Sequence, residues 1–569
     1  MSGYDLLMKP PFFLNENQIG WVRKTIGEMS LKEKVGQLFC LDLHEPDPDI
    51  LDQYLQKYHM GGFMVRQMPL ADLTEAIGYA QGKAAIPLLV SANLESGGDG
   101  MICEGVNVGP CLQVGATGNA EFAKKQAYVS AREGMAAGAN YAFAPVVDID
   151  RNFRNPITGT RVYGADAEFV KQAGIAYVKE VQSHGMAAAV KHFPGDGVDE
   201  RDQHQLATVN SLSCDEWDAS YGDVYRGCIE AGALTVMVGH IMLPSFSRLL
   251  RPGIKDEEIL PATLAPELLG DLLRSRLGFN GLIITDNTGM AGFYAMPRQR
   301  AVPAAIAAGC DMLLFSRNLE EDFRSVETAV REGVITRERL EEALIRILGV
   351  KAAIGLPEKQ KDGRLIPRLE EAEKIVGCKE HRELEKECAM KGITLVKDKE
   401  NLLPISPKHH KRILLHTLTY QPEQNPDQTE VGILMKQALE DAGFQVALFE
   451  TPAEKDGYFK SCRDVESRYD LIIYAADLPT QSFRTTVRLE WKKPMGADCP
   501  VMIHSIPTIF ISLANPYHLV DVPRVKTYIN AYKCKEANVK AVVEKLLGHS
   551  RFAGKSPVDA YCGFWDTRL

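Results

Sequence analysis

No C-x-x-C pair occurs in this chain, although it holds twelve cysteines, scattered singly from Cys40 to Cys562. That scatter argues against a zinc site or a disulfide framework and fits reduced, mostly buried thiols. The opening stretch M-S-G-Y-D-L-L-M-K-P-P-F-F-L has no basic region followed by a long apolar core and a small-residue cleavage site. No run approaches the roughly 18 apolar residues that a membrane helix needs. A cytoplasmic location with no membrane partner is the expectation. Positive charge is also in deficit: the net charge of -10, with no concentrated basic patch, argues against a nucleic-acid or anionic-membrane surface. Low-complexity tracts and short-period repeats are missing too.

What is present reads as an ordinary globular protein, with 45% hydrophobic and 25% charged residues. Its 569 residues are too many for one hydrophobic core, so more than one domain is expected. From about Gly20 to Gly355, strand-like apolar runs alternate with longer helix-like stretches. The runs are Gln37–Leu41, Gly62–Val65, Pro87–Ala92, Tyr141–Ile149, Met186–Lys191, Thr235–Ile241, Gly281–Thr285 and Met312–Phe315. Helical spacing marks Asp166–His184 and Ala265–Leu277 between them. This alternation predicts a (β/α)8 TIM-like barrel over residues 1–355, with an open doubly wound sheet as the alternative. A charged connector is expected over 356–383.

Residues 384–569 then read as a smaller α/β sandwich domain. Its strands are expected at Gly392–Lys397, Ile413–Leu418, Val446–Glu450, Leu471–Ala475, Thr508–Leu513 and Val525–Ala531, with helices at Gly432–Ala442 and Glu536–Leu547. It contains no G-x-G-x-x-G or Walker-type loop, so a nucleotide role has no support there.

In a barrel of this kind, active sites collect at the C-terminal ends of the strands. Asn93 and Glu95 follow the third run, Asp148 lies at the end of the fourth, Lys191 and His192 end the fifth, His240 closes the sixth and Asp286 the seventh. The fifth run leads into A-A-A-V-K-H-F-P-G-D-G-V-D-E-R-D-Q-H, where Pro194, Gly195 and Gly197 force a turn before Asp202 and His204. Such a loop can hold an imidazole beside a carboxylate. Asp286, in G-F-N-G-L-I-I-T-D-N-T-G-M, is read as functional, with a helix N-cap as the plain alternative.

K-H-F-P-G-D-G followed after a short gap by D-Q-H, together with T-D-N-T-G-M and G-T-R-V-Y-G, resembles family 3 of the glycoside hydrolases, in particular its β-N-acetylglucosaminidase branch. The similarity continues into G-I-T-L-V-K-D-K-E-N-L-L-P-I, which looks like the start of that family's second domain. The resemblance implies a retaining exo-β-N-acetylglucosaminidase acting on cell-wall fragments or short amino-sugar oligosaccharides, with no metal and no organic cofactor. It places the nucleophile on Asp286 and the acid/base on His204 paired with Asp202. Lys191, His192 and Arg161 would grip hydroxyls of the terminal sugar, and Asn93, Glu95, Asp148 and His240 are further pocket candidates.

Four features depart from the family pattern: Asn93 and Asn287 stand where aspartate is usual, Asp196 where histidine is usual, and the arginine usual shortly after the E-S-G-G segment is missing from D-G-M-I-C. A phosphate acceptor in place of water, and a β-glucosidase specificity, therefore stay open. So do a metal-dependent hydrolase using His192, Asp202, His204 and His240, and a sugar-binding protein without turnover. The expected partner is a small carbohydrate; the oligomeric state is open, with a homodimer the assembly considered.

Overall fold

Eight short strands close into a barrel in simple sequential order. They are β1 (Phe39–Leu43), β2 (Gly62–Val65), β3 (Leu89–Ala92), β4 (Tyr141–Ala142), β5 (Ala187–Phe193), β6 (Thr235–Val238), β7 (Leu282–Asn287) and β8 (Met312–Leu314), and β8 returns to pair with β1. Every neighbouring pair is parallel. The structure is a computed structural model and describes residues 3–45, 47–420, 426–449, 462–486, 488–491, 496 and 498–569. Each strand lies between the barrel interior and an outer layer of helices, so both faces are apolar and no polar alternation appears in the sequence. β5 is buried along its whole length.

All eight expected runs hold a barrel strand, and their ends differ for local reasons. The run Tyr141–Ile149 pairs as a strand only at Tyr141–Ala142. Pro145 has no N–H to donate, and the chain continues beside β5 through single contacts, with Lys191 N–H donating to Pro145 O at 3.1 Å and Val147 N–H to Lys191 O at 2.8 Å. The run Thr235–Ile241 breaks at Gly239 and His240, and Ile241–Met242 pairs instead with Thr208–Val209. β7 runs one residue beyond Asp286, so that carboxylate is carried by the strand itself.

Two register irregularities fall at the mouth of the barrel. One separates Val190 from Phe193 in the β5–β6 pairing, where Lys191 and His192 sit. The other lies between Met312 and Leu314, whose partners on β7 are Ile284 and Asn287. Irregular pairing of this kind redirects side chains at barrel rims.

The chain divides into two compact units. The first comprises Met1–Val108, Ala123–Asn152 and Ala167–Arg382, and the second Gly109–Phe122, Phe153–Asp166 and Glu383–Leu569. Residues 356–382, expected as a connector, group with the barrel unit and include the helix Leu356–Lys361. The second unit is built on a six-stranded sheet of β9 (Thr394–Asp398), β10 (Arg412–Thr419), β11 (Gln445–Leu448), β12 (Leu471–Asp477), β13 (Thr508–Ser512) and β14 (Thr527–Asn530), in the order β9-β14-β13-β12-β10-β11. Only β9 is antiparallel to its neighbour. Glu450, at the end of an expected strand, lies outside the described residues.

Both faces of this sheet are covered. Ile413, Leu415, Ile473, Ile509, Ile511 and Ile529 pack on one side with Val431, Met435, Val539 and Val542 from the helices Glu430–Asp441 and Glu536–Leu546. Leu414, Ile472, Tyr474, Phe510 and Tyr528 pack on the other. The alternation follows the two-residue period of a strand. Among the described residues no helix is long and apolar enough to cross a membrane.

An ammonium is enclosed deep in the barrel unit. Lys351, on the helix Arg337–Ala353, is fully buried and donates to Gln37 Oε1 at 2.7 Å. Burial pushes it down to about 7. Between that value and about 10.4 the unfolded chain binds more protons than the folded one, so stability rises with pH across this window and the full penalty applies below it. Urea midpoints measured at pH 7 and pH 9 are expected to rise in the wild type and to stay nearly level in Lys351→Met. An equal rise in both would contradict this assignment.

Candidate active site

The C-terminal ends of β3, β4, β5 and β7 bring together most of the polar residues that the sequence marks. Lys191 is almost completely buried, and a buried ammonium needs paired partners. It meets Glu95 Oε1 at 2.8 Å and donates to Asn93 Oδ1 at 3.1 Å. His192 is held by Asp148, whose Oδ2 lies 2.6 Å from His192 Nδ1 and whose Oδ1 accepts from the His192 backbone N–H at 3.2 Å. An ionised carboxylate only accepts, so the proton sits on Nδ1 and turns Nε2 toward Asp286 Oδ2, 4.0 Å away.

The same device recurs at the dyad. Asp202 Oδ1 accepts from His204 N–H at 2.8 Å and lies 2.6 Å from His204 Nδ1. Nε2 is then the nitrogen that can exchange a proton with a bound molecule. The loop carrying this pair docks on the loop after β7: Ala291 N–H donates to His204 O at 3.0 Å, and Gly292 N–H to Gln203 O at 3.3 Å. A Cβ on Gly292 would stand 2.5 Å from Gln203 O, so only glycine allows this approach.

His240 has both ring nitrogens engaged within the protein, Nδ1 with Thr263 Oγ1 at 3.1 Å and Nε2 with Asn287 O at 3.0 Å. Burial lowers its tendency to protonate. A neutral ring that donates from Nε2 and accepts at Nδ1 satisfies both contacts. Arg161 belongs to the second unit, on the turn Gly159–Arg161.

Asp286 combines burial with charge. Burial pushes its carboxyl up, but the imidazoles of His192, His240 and His204 and the Asn287 N–H, donating at 2.7 Å, outweigh it. The group is therefore held below the usual carboxylate range, ionised at neutral pH. A half-buried anion facing imidazoles, with a carboxylate-oriented imidazole on the adjoining loop, can attack an electrophilic carbon while that imidazole passes a proton. Among the described residues no group of three or more His, Cys, Asp or Glu is arranged to hold a metal ion.

Several residues around the mouth escaped the sequence reading. Asp42 on β1 accepts two hydrogen bonds from Arg66, just after β2, at 3.0 and 2.7 Å, and the Arg66 guanidinium lies 5.0 Å from the Phe315 ring centre. Arg66 follows a strand run as Lys191 does, so the strand-end rule could have found it. Arg298 donates to Thr288 O at 2.7 Å and to Asp322 Oδ1 at 2.8 Å, bracing the turn after Asp286. Gln203 stands inside D-Q-H between two residues that drew the attention.

Residues 30–350 match the family model described as "Glycosyl hydrolase family 3 N terminal domain". The chain is 48% identical over 566 residues to a Cellulomonas fimi protein named "Beta-N-acetylglucosaminidase/beta-glucosidase", spanning 99% of this chain and 100% of that protein. A solved structure titled "Beta-glucoside phosphorylase BglX bound to 2FGlc" is 42% identical, with a TM-score of 0.93 over 98% of this chain and 100% of the other. A β-N-acetylglucosaminidase from Paenibacillus sp. str. FPU-7, 24% identical with a TM-score of 0.75 over 94% of this chain and 99% of its own, shares the fold.

The electrostatic account of Asp286 is testable without any substrate. In protein carrying 13C-labelled aspartate carboxyls, the Asp286 titration midpoint is expected to move upward in His192→Phe, because burial then meets less opposition. An unchanged midpoint would show that His192 does not hold the carboxylate in its charged form.

Proposed function

Because the chain belongs to glycosyl hydrolase family 3, we propose that it is a retaining, exo-acting β-glycosidase that removes terminal β-linked N-acetylglucosamine through a covalent glycosyl–Asp286 intermediate. The observation that carries this reading is the Asp286 carboxylate at the end of β7, 4.0 Å from His192 Nε2, with the His204–Asp202 dyad docked on the loop that follows it. In the first step His204, protonated at Nε2, gives its proton to the departing aglycone oxygen while Asp286 bonds to the anomeric carbon. In the second, neutral His204 takes a proton from the acceptor as it displaces Asp286. An imidazole suits both halves, since Nε2 can give or take the proton while Nδ1 stays bonded to Asp202.

Lys191 and His192, anchored by Glu95, Asn93 and Asp148, are proposed to contact sugar hydroxyls. His240 is proposed as a spacer, since both its nitrogens are taken by the protein. Short amino-sugar oligosaccharides such as cell-wall fragments are the substrates this reading implies. The name of the Cellulomonas fimi relative supports both a glucosaminide and a glucoside as donors.

A second reading lets phosphate accept the sugar. The 42% identical structure titled as a β-glucoside phosphorylase favours it. So does the imidazole, because a neutral ring repels incoming phosphate less than a carboxylate would.

Purified protein assayed on aryl β-N-acetylglucosaminide and aryl β-glucoside, with and without inorganic phosphate, separates these readings. Free sugar alone identifies hydrolysis, and sugar 1-phosphate identifies phosphorolysis. Asp286→Asn is expected to abolish turnover, and His204→Ala to cost about 10²- to 10⁴-fold on poor leaving groups and far less on good ones. Turnover that survives Asp286→Asn would remove that residue from its role.

A further inference from the structure

Asp196, the residue that departs from the family's histidine, and Gln203, inside the dyad motif, are both almost completely buried. Asp196 Oδ1 accepts from Gly197 N–H at 2.7 Å, and Oδ2 accepts from Gln203 Nε2 at 3.1 Å. The other end of the same amide, Gln203 Oε1, accepts from His240 N–H at 2.9 Å. Gln203 thus uses one side chain to tie the loop after β5 to the end of β6.

These bonds belong to a circuit around the mouth. From Asp286 it passes to the Asn287 N–H at 2.7 Å, from Asn287 O to His240 Nε2 at 3.0 Å, and through His240 N–H to Gln203. Gln203 leads to Asp196, whose N–H donates to Asp148 Oδ1 at 2.8 Å. Asp148 orients His192, and His192 Nε2 faces Asp286 again at 4.0 Å. Of the two groups that must act on one glycosidic bond, Asp286 stands on β7 and His204 on the loop after β5, and Gln203 is the member of the circuit adjacent to both Asp202 and His204.

We infer that Gln203 is a positioning residue, which with Asp196 fixes the His204 imidazole at its working distance from Asp286. This inference rests on the glycosidase reading above and assigns the spacing of its two groups to the Gln203–Asp196 clamp. The pair is matched in polarity: a carboxylate that can only accept faces an amide that donates there and accepts from His240. Losing the amide leaves a carboxylate oxygen and a backbone N–H buried without that partner, and the loop is free to shift. A displacement of about 1 Å can cost about 10²-fold in rate where a proton must be delivered in line.

The test is the dependence of kcat/KM on leaving-group basicity across aryl glycosides. In Gln203→Met the rate on poorly leaving phenols is expected to fall ten- to a hundredfold, with little change on dinitrophenol, which needs no protonation. A general loss of stability would lower all substrates together. Gln203→Glu sets carboxylate against carboxylate, and Asp196→Asn sets amide against amide. The Gln203→Glu/Asp196→Asn double variant restores a donor facing an acceptor and is expected to recover the wild-type slope, with melting temperatures confirming that every variant is folded. A Gln203→Met slope equal to wild type, or a double variant no better than its singles, overturns the clamp. A wild type with no glycosidase activity overturns the parent reading and this inference with it.

Discussion

A negative charge kept ionised in the half-buried mouth of the barrel is the constraint on which the rest of the site depends. Burial alone would protonate Asp286 and remove its nucleophilicity. The neighbouring imidazoles, His192 first among them, and one backbone N–H reverse that preference. His192 Nε2 stands 4.0 Å from the carboxylate, too far for a direct hydrogen bond that would neutralise it. The charge is stabilised by a surrounding field and stays exposed enough to react.

That field depends on where each imidazole carries its proton. His192 and His204 are each bound at Nδ1 by a buried carboxylate, Asp148 and Asp202, at 2.6 Å. In His192 this directs Nε2 to Asp286, and in His204 it leaves Nε2 as the nitrogen that can exchange a proton. His240 has no such carboxylate, is kept neutral by burial, and links Asn287 to the dyad loop. One residue type therefore serves in two capacities according to what holds its Nδ1.

Much of this was legible in the sequence because it is local. The eight apolar runs, the turn at Pro194–Gly197 and the close spacing of Asp202 and His204 are read from neighbours along the chain. The limits of legibility are also physical. Nothing in the periodicity of Tyr141–Ile149 announces that pairing stops at Ala142; that follows from the missing N–H of Pro145 meeting a specific acceptor pattern on β5. Gln203 was passed over because its partners, Asp196 and His240, declare themselves only after β5 and β6 lie side by side. The segments Gly109–Phe122 and Phe153–Asp166 interrupt the barrel sequence yet pack in the second unit, where Lys555 N–H donates to Ala116 O at 2.9 Å and Ala165 N–H to Pro557 O at 3.0 Å. Such long-range pairing leaves no trace in local composition.

The central claim is that the Asp286 carboxylate forms a bond to the sugar. Protein incubated with an activated 2-fluoro glycosyl donor, whose fluorine slows release of the intermediate, can be digested and its peptides weighed by mass spectrometry. The account predicts one added glycosyl unit on the peptide containing Asp286, lost again when the acceptor is supplied. A glycosyl unit on a different residue, or steady turnover of ordinary substrate with no adduct ever trapped, would contradict it.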